Sequence, residues 1–289
     1  MIKSDKILES NSNSAFIFPG QGSQKVGMGR DLLDIDVSAE VFQRVDDALD
    51  RKLSDIIFNG PDEELMLTKN AQPAIMTVSI ACYEALKLKI GNSFPTPKYV
   101  AGHSLGEYTS LYVSGALNLE ETAKLVSLRG ELMQDSCDQN PGTMAAIIGL
   151  DEKAVYEISR QTGTYVSNIN TDLQTVISGD KTAIVSAIDL ATSRGAKRAI
   201  PLKVAGAFHS DLMKPAAEKM QNYINDLQFS IPSIPIVANC SAKPLTDVSE
   251  IKKELITQIT NCVDWNKSVK YMINDGVDSF VEFGHGGVL

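Results

Sequence analysis

Ser104 lies in Gly102-His103-Ser104-Leu105-Gly106, a match to the G-x-S-x-G turn in which a serine is presented between a strand and a helix. Such a turn needs small residues on both sides, because the serine backbone is held strained. The helix that follows aims its first N–H groups at an oxygen that turns negative during acyl transfer. The competing reading is a tight turn whose serine merely caps the helix. A serine hydroxyl needs a base to become a nucleophile, and the chain has three histidines: His103, His209 and His285. His103 adjoins the serine, so its side chain is expected to point away from the substrate, and His285 sits in a terminal glycine loop. His209, in Ala207-Phe208-His209-Ser210, follows a strand-like run and precedes a helical one, which makes it the base candidate. Its alternative is a core histidine bonded to a backbone carbonyl. No acid between Ser104 and His209 stands out, and Asp264 comes after the histidine. A dyad oriented by a backbone carbonyl is thus at least as well supported as a triad.

Arg129, in Ser127-Leu128-Arg129-Gly130-Glu131, admits two readings. On a helix with an apolar face it can snorkel to solvent. Turned into a pocket, its planar fork would pair with a carboxylate and select an acyl group such as malonyl. Gly20-Gln21-Gly22 could give a second oxyanion N–H or cradle a phosphate. The glycines do not fit the phosphate-loop spacing, which favours the first.

These residues need elements to place them. The apolar run 15–18, closed by Pro19-Gly20, reads as a buried strand, as does 99–101 before the serine turn. Helical periodicity runs through much of 38–58, over 72–90 with Pro73 in the first turn, over 107–114 and over 119–135. From 143 the order becomes strand 143–150, helix 151–161 with Asp151 as N-cap, strands 165–168 and 175–178, helix 181–193 and strand 198–204. That β-α-β-β-α-β order is the ferredoxin-like pattern. A helix over 211–226, a strand over 235–239, a helix near 265–275 and a strand over 279–283 complete the chain. The fold class is therefore α/β, with a mostly parallel sheet. The expected division is a disordered lead over 1–14, a main domain over 15–140 and 206–289, and a small inserted subdomain over 141–205. Gly284-His285-Gly286-Gly287 would be left undocked at the chain end, so a further C-terminal helix is expected beyond it.

Composition bounds the function. With 289 residues, 43% of them hydrophobic, the chain can bury a large core, and a net charge of -9 argues against a nucleic-acid footprint. The four cysteines form no CxxC pair, which points to reduced thiols in a cytoplasmic protein. No apolar leader and no bilayer-length run is apparent, so no membrane role is expected.

Phe18-Pro19-Gly20-Gln21-Gly22-Ser23-Gln24, Gly102 to Tyr108, Leu128 to Gln134, Gly206 to Ser210 and the terminal glycine loop together resemble the signature blocks of malonyl-CoA:acyl carrier protein transacylases, in that family's order. The resemblance implies an α/β-hydrolase-like domain with a ferredoxin-like insert. It implies Ser104 as nucleophile, His209 as base, Arg129 as the partner of the malonyl carboxylate, and the N–H groups of Gln21 and Leu105 as oxyanion hole. Phe208, His103 and Asn170 would be pocket and specificity positions, with Phe208 going with malonyl over methylmalonyl. The backbone carbonyl of Asp264, where many members have glutamine, would accept from the base, and its carboxylate could raise the pKa of His209. The substrates implied are malonyl-CoA and a phosphopantetheinylated acyl carrier protein, with no bound cofactor and a monomeric enzyme. The loop reads Gly-His-Gly where many members have Gly-Pro-Gly, a variant also found in polyketide pathways, so fatty acid and polyketide roles both stay open. A serine thioesterase or lipase is a further alternative, and a non-catalytic binding subunit is another.

Overall fold

The computed structural model describes residues 13–289. The expected disordered lead therefore lies outside the described residues except at its end, where Ser14 already belongs to the first strand, β1 (Ser14–Phe18). Four helices follow: α1 (Asp36–Leu49), α2 (Leu53–Asn59), α3 (Asp62–Met66) and α4 (Thr68–Ile90). The helical run expected over 38–58 is broken at Asp50, which caps α1 in the left-handed region at φ 49°. Helix α4 starts earlier than expected, which moves Pro73 out of the first turn and into the helix interior. A proline there leaves the carbonyl four residues back without its donor. That carbonyl, Lys69 O, accepts from Arg51 Nη2 at 3.1 Å instead.

Strand β2 (Tyr99–Gly102) leads into α5 (Leu105–Val113), followed by α6 (Leu119–Gln139). Asn118 and Glu121 cap α6 reciprocally, which fixes its start. The small subdomain then runs β3 (Thr143–Ile148), α7 (Glu152–Thr162), β4 (Tyr165–Thr171), β5 (Gln174–Gly179), α8 (Lys181–Ser193) and β6 (Arg198–Pro201). Asp151 caps α7 as expected, accepting from Ala154 N–H at 2.8 Å. The chain continues through α9 (Lys214–Asp226), β7 (Ile236–Val237), β8 (Pro244–Leu245), α10 (Val248–Thr257), α11 (Trp265–Asn274) and β9 (Ser279–Glu282). Helices α3 and α10 and strand β8 were not anticipated, and β6 and β7 are shorter than expected.

Two sheets result. The first has the order β8-β7-β2-β1-β9, parallel except for β8 at its edge. Helices cover both of its faces: Phe16 and Phe18 enter one core, Ala15 and Ile17 the other. Burial on both sides is why β1 reads as a continuous apolar run and not as an alternation. The second sheet has the order β4-β5-β3-β6, antiparallel throughout, which is the ferredoxin-like arrangement. The fold is thus an α/β-hydrolase-like domain carrying a ferredoxin-like small subdomain.

The second sheet also bonds a segment that belongs to neither sheet. Val263 N–H donates to Ser167 O and Ile169 N–H to Val263 O, both at 2.9 Å, so β4 pairs with the segment before α11. In the terminal glycine loop, Gly284 lies so close to Pro19 and Ser79 that a Cβ would sit 2.7 Å from the Pro19 ring, while Gly286 and Gly287 are exposed.

Candidate active site

The site lies where parallel neighbours end together. Phe18 pairs with Gly102 in register, so the loops after β1 and β2 leave the sheet side by side at its carboxyl edge, where open α/β sheets bind ligands. Ser104 occupies the turn between β2 and α5 with φ 52° and ψ −104°, a conformation that a non-glycine residue adopts only under constraint. Two glycines permit it. A Cβ on Gly102 would lie 1.9 Å from the Gly106 carbonyl carbon, and one on Gly106 would lie 2.0 Å from Phe18 O. The spacing seen in the sequence is therefore a requirement for backbone-to-backbone contact.

Ser104 Oγ lies 2.8 Å from His209 Nε2, and His209 Nδ1 lies 2.7 Å from Gln258 O. A carbonyl only accepts, so Nδ1 carries the proton and Nε2 is free to accept from the serine. His209 is 4% exposed. Burial, helped by the nearby Arg129 charge, pushes its pKa down to about 3, which keeps the imidazole neutral and able to act as a base. The carbonyl that orients it belongs to Gln258 and not to Asp264. Asp264 instead caps α11, accepting from Lys267 N–H at 3.0 Å and pairing with Lys267 Nζ at 2.6 Å, while its own carbonyl accepts from Ser268. Its charge is thus engaged at the helix start and by Lys267.

Arg129 does not snorkel. It is 1% exposed, with Nη1 donating to Gln72 Oε1 at 2.6 Å and Nη2 to Gln258 Oε1 at 2.8 Å and to Ser104 Oγ at 3.2 Å. The guanidinium carbon sits 4.8 Å from the Tyr108 ring centroid. Both amide partners are neutral, Nε has no partner among the described residues, and burial lowers the pKa. A buried cation whose direct partners are neutral oxygens, set beside Ser104, can pair with an incoming anion.

A cavity of about 340 Å³ opens over these groups. Gln21 and Leu105 line it, and Leu105 is the first residue of α5, whose N–H has no partner within the helix. Phe208, Met144, Val176 and Val204 form its apolar wall, with Met144 on β3 and Val176 on β5. His103 lines the cavity and does not turn away from it. Its Nε2 meets Asn170 Oδ1 at 2.9 Å, and its ring packs edge-on to Trp265. His285, in contrast, is not among the lining residues. The structure therefore brings Ser104, His209, Arg129, Gln21, Leu105, Phe208, His103 and Asn170 to one cavity, and Asp264 is not among the residues that line it.

Gln258, Gln72, Asn239 and Trp265 are additional to the residues expected from sequence. Asn239, just past β7, accepts from Ser104 N–H through Oδ1 and donates to Gly102 O, each at 2.7 Å. An asparagine at the end of a strand neighbouring the serine strand was the available signal. Gln258 carried none, because its link to the base is through the main chain.

The chain matches the family model described as acyl transferase domain over residues 15–286. It is 43% identical over 284 residues to the malonyl CoA-acyl carrier protein transacylase of Bacillus subtilis, covering 96% of this chain and 88% of that protein. Among solved structures, it resembles an acyl-carrier-protein-S-malonyltransferase from Bartonella henselae with a TM-score of 0.89 and 43% identity, over 95% of this chain and 89% of the other. It also resembles a malonyl-transacylase solved in complex with its type II PKS acyl-carrier protein, with a TM-score of 0.90 and 37% identity over 95% and 90% of the two chains.

Proposed function

The chain belongs to the malonyl CoA-acyl carrier protein transacylases, and on that footing we propose that it moves a malonyl group from malonyl-CoA to the phosphopantetheine thiol of holo-acyl carrier protein, in fatty acid biosynthesis. Ser104 Oγ attacks the thioester carbonyl while His209 Nε2 takes its proton. The N–H groups of Gln21 and Leu105 hold the oxygen that becomes negative. As the tetrahedral intermediate collapses the C–S bond breaks, and coenzyme A leaves with the proton from His209. In the second half the carrier thiol gives its proton to His209, and its sulfur attacks the malonyl-serine ester. The ester C–O bond then breaks and Ser104 Oγ recovers that proton. Arg129 pairs with the free carboxylate throughout, and Phe208, His103 and Asn170 bound the acyl pocket. The chemistry calls on no cofactor, because serine and histidine supply nucleophile and base.

The observation that carries this reading is the buried Arg129 guanidinium, held by neutral amides 3.2 Å from the nucleophile. A lipase or simple thioesterase has no use for a cation there. We take residues 15–140 and 206–289 as the catalytic domain and 141–205 as the inserted subdomain, and we place the enzyme in the cytoplasm as a monomer. Among the described residues no helix is long and apolar enough to cross a membrane.

Intact-mass spectrometry after adding malonyl-CoA tests the proposal. The wild type should gain one malonyl group, Ser104→Ala none, and holo-carrier protein should remove it. Rapid hydrolysis indifferent to the carrier would overturn the transferase reading.

A further inference from the structure

Glu107 sits in the first turn of α5, three residues past the nucleophile, and is 1% exposed. Each of its carboxylate oxygens accepts a hydrogen bond: Oε1 from Asn239 N–H at 2.9 Å, and Oε2 from Gln258 Nε2 at 2.7 Å. Burial and the neighbouring Glu254 raise its pKa, while these donors and the Arg129 charge favour the ionised form. Two accepting oxygens are the geometry of a carboxylate.

Gln258 is the residue through which this carboxylate can reach the reaction. Its side chain donates from Nε2 to Ser104 O at 2.8 Å as well as to Glu107, and its Oε1 accepts from Arg129 Nη2 at 2.8 Å. Its main-chain oxygen accepts from His209. An amide has nearly the same shape either way round, so its orientation is set by its neighbours. Arg129 only donates and requires Oε1. The Ser104 carbonyl and the two Glu107 oxygens, each already accepting a hydrogen bond, require Nε2.

We propose that Glu107 is a positioning residue: by holding Nε2 of Gln258, it keeps Oε1 turned to Arg129 and so aligns the guanidinium for the carboxylate of the acyl cargo. This rests on the malonyl transfer proposed above. In Glu107→Gln one former carboxylate oxygen becomes an NH2 group. The main-chain Asn239 N–H is fixed and claims the remaining oxygen, so the new NH2 faces Gln258 Nε2, donor against donor. The Gln258 amide can relieve this only by drawing back or by turning over, and either takes Oε1 away from Arg129 Nη2, the second also setting it against Ser104 O.

The test measures kcat/KM for malonyl-CoA and acetyl-CoA with holo-carrier protein, normalised to the fraction of enzyme that can be acylated. Glu107→Gln should lower the malonyl-to-acetyl ratio by about tenfold or more, the scale of one unsatisfied buried polar contact. A purely structural role would reduce folded enzyme and leave the ratio unchanged, and an unchanged ratio overturns the proposal. Because Glu107→Gln alone could fail to fold, Gln258→Met and the double variant Glu107→Gln/Gln258→Met are compared as well. With no amide to orient, the second substitution should leave the ratio within about twofold, whereas a further tenfold fall would show that Glu107 acts without Gln258. Wild type that takes no malonyl group would overturn the transferase reading itself. Wild type that is acylated, beside variants with an unchanged ratio, would overturn only the role of Glu107.

Discussion

Replacing Arg129 by alanine isolates what the buried cation does. Its fork is held by Gln72 and Gln258, so removing it strands two amide oxygens and costs stability, about 1–3 kcal/mol for each oxygen that water does not reach. With malonyl bound, the larger loss is that of the carboxylate, which would enter an apolar-walled cavity with no counter-charge. Breaking a buried ion pair costs about 3–5 kcal/mol, and the cavity is open enough to water that the lower end applies. At about 1.4 kcal/mol per tenfold, kcat/KM for malonyl-CoA should fall by roughly a hundredfold. Acetyl carries no second carboxylate. It loses only the long 3.2 Å contact from Nη2 to Ser104 Oγ, so its transfer should change by less than about tenfold. The assay is transfer of both acyl groups to holo-carrier protein, normalised to the enzyme that retains its fold. Equal falls for the two donors would refute the charge argument and leave Arg129 a purely structural role.

Further outcomes follow from the geometry. A histidine with a folded pKa of about 3 and an unfolded one near 6.5 stays neutral in the fold while the unfolded chain takes up its proton, so its contribution to stability is complete above about pH 6.5 and is lost as pH falls toward 3. For the same reason the acid limb of kcat/KM should lie well below pH 6.5, and a limb at 6.5 would show that His209 is not desolvated as described. Arg129→Ala removes the second-largest cause of that depression, so whatever acid limb remains should move to higher pH. Gly106→Ala drives a Cβ to 2.0 Å from Phe18 O and should cost more than about 3 kcal/mol in thermal unfolding. Gly22→Ala, at φ 109° but with open space around it, should cost only about 1–2 kcal/mol. Similar losses for the two would mean that the elbow is not held by backbone contact.

The parts of this site that were legible in sequence are those whose chemistry lives in side chains or in local backbone rules. The elbow announces itself because only glycine fits at 102 and 106, and His209 because few residues can serve as a base at neutral pH. The orienting carbonyl was misplaced from Gln258 to Asp264 because every residue has a carbonyl, so nothing in residue type marks the right one. Its place depends on how α10 ends, and α10 itself was not foreseen. Pro73 misled for a related reason: a proline suggests a first turn, but here a distant arginine compensates for the N–H it lacks. The orientation of His103 was misjudged because its partner, Asn170, comes from the small subdomain and not from the elbow.

The close approaches around the elbow have a bearing on how the enzyme can change. Gly20 would meet His103 O at 2.5 Å, as Gly106 would meet Phe18 O at 2.0 Å, so the loop carrying Gln21 and the turn carrying Leu105 rest on each other main chain to main chain. The spacing between the two N–H groups is then fixed by atomic radii, with no side chain interposed whose replacement could widen or narrow it. The acyl wall, by contrast, is made of ordinary side chains such as Phe208 and Val176, free to be exchanged. On the mechanism proposed above, acyl preference can therefore drift by substitution at the wall while the dimension proposed to stabilise the negative oxygen stays where it is, which separates what is carried from how it is carried.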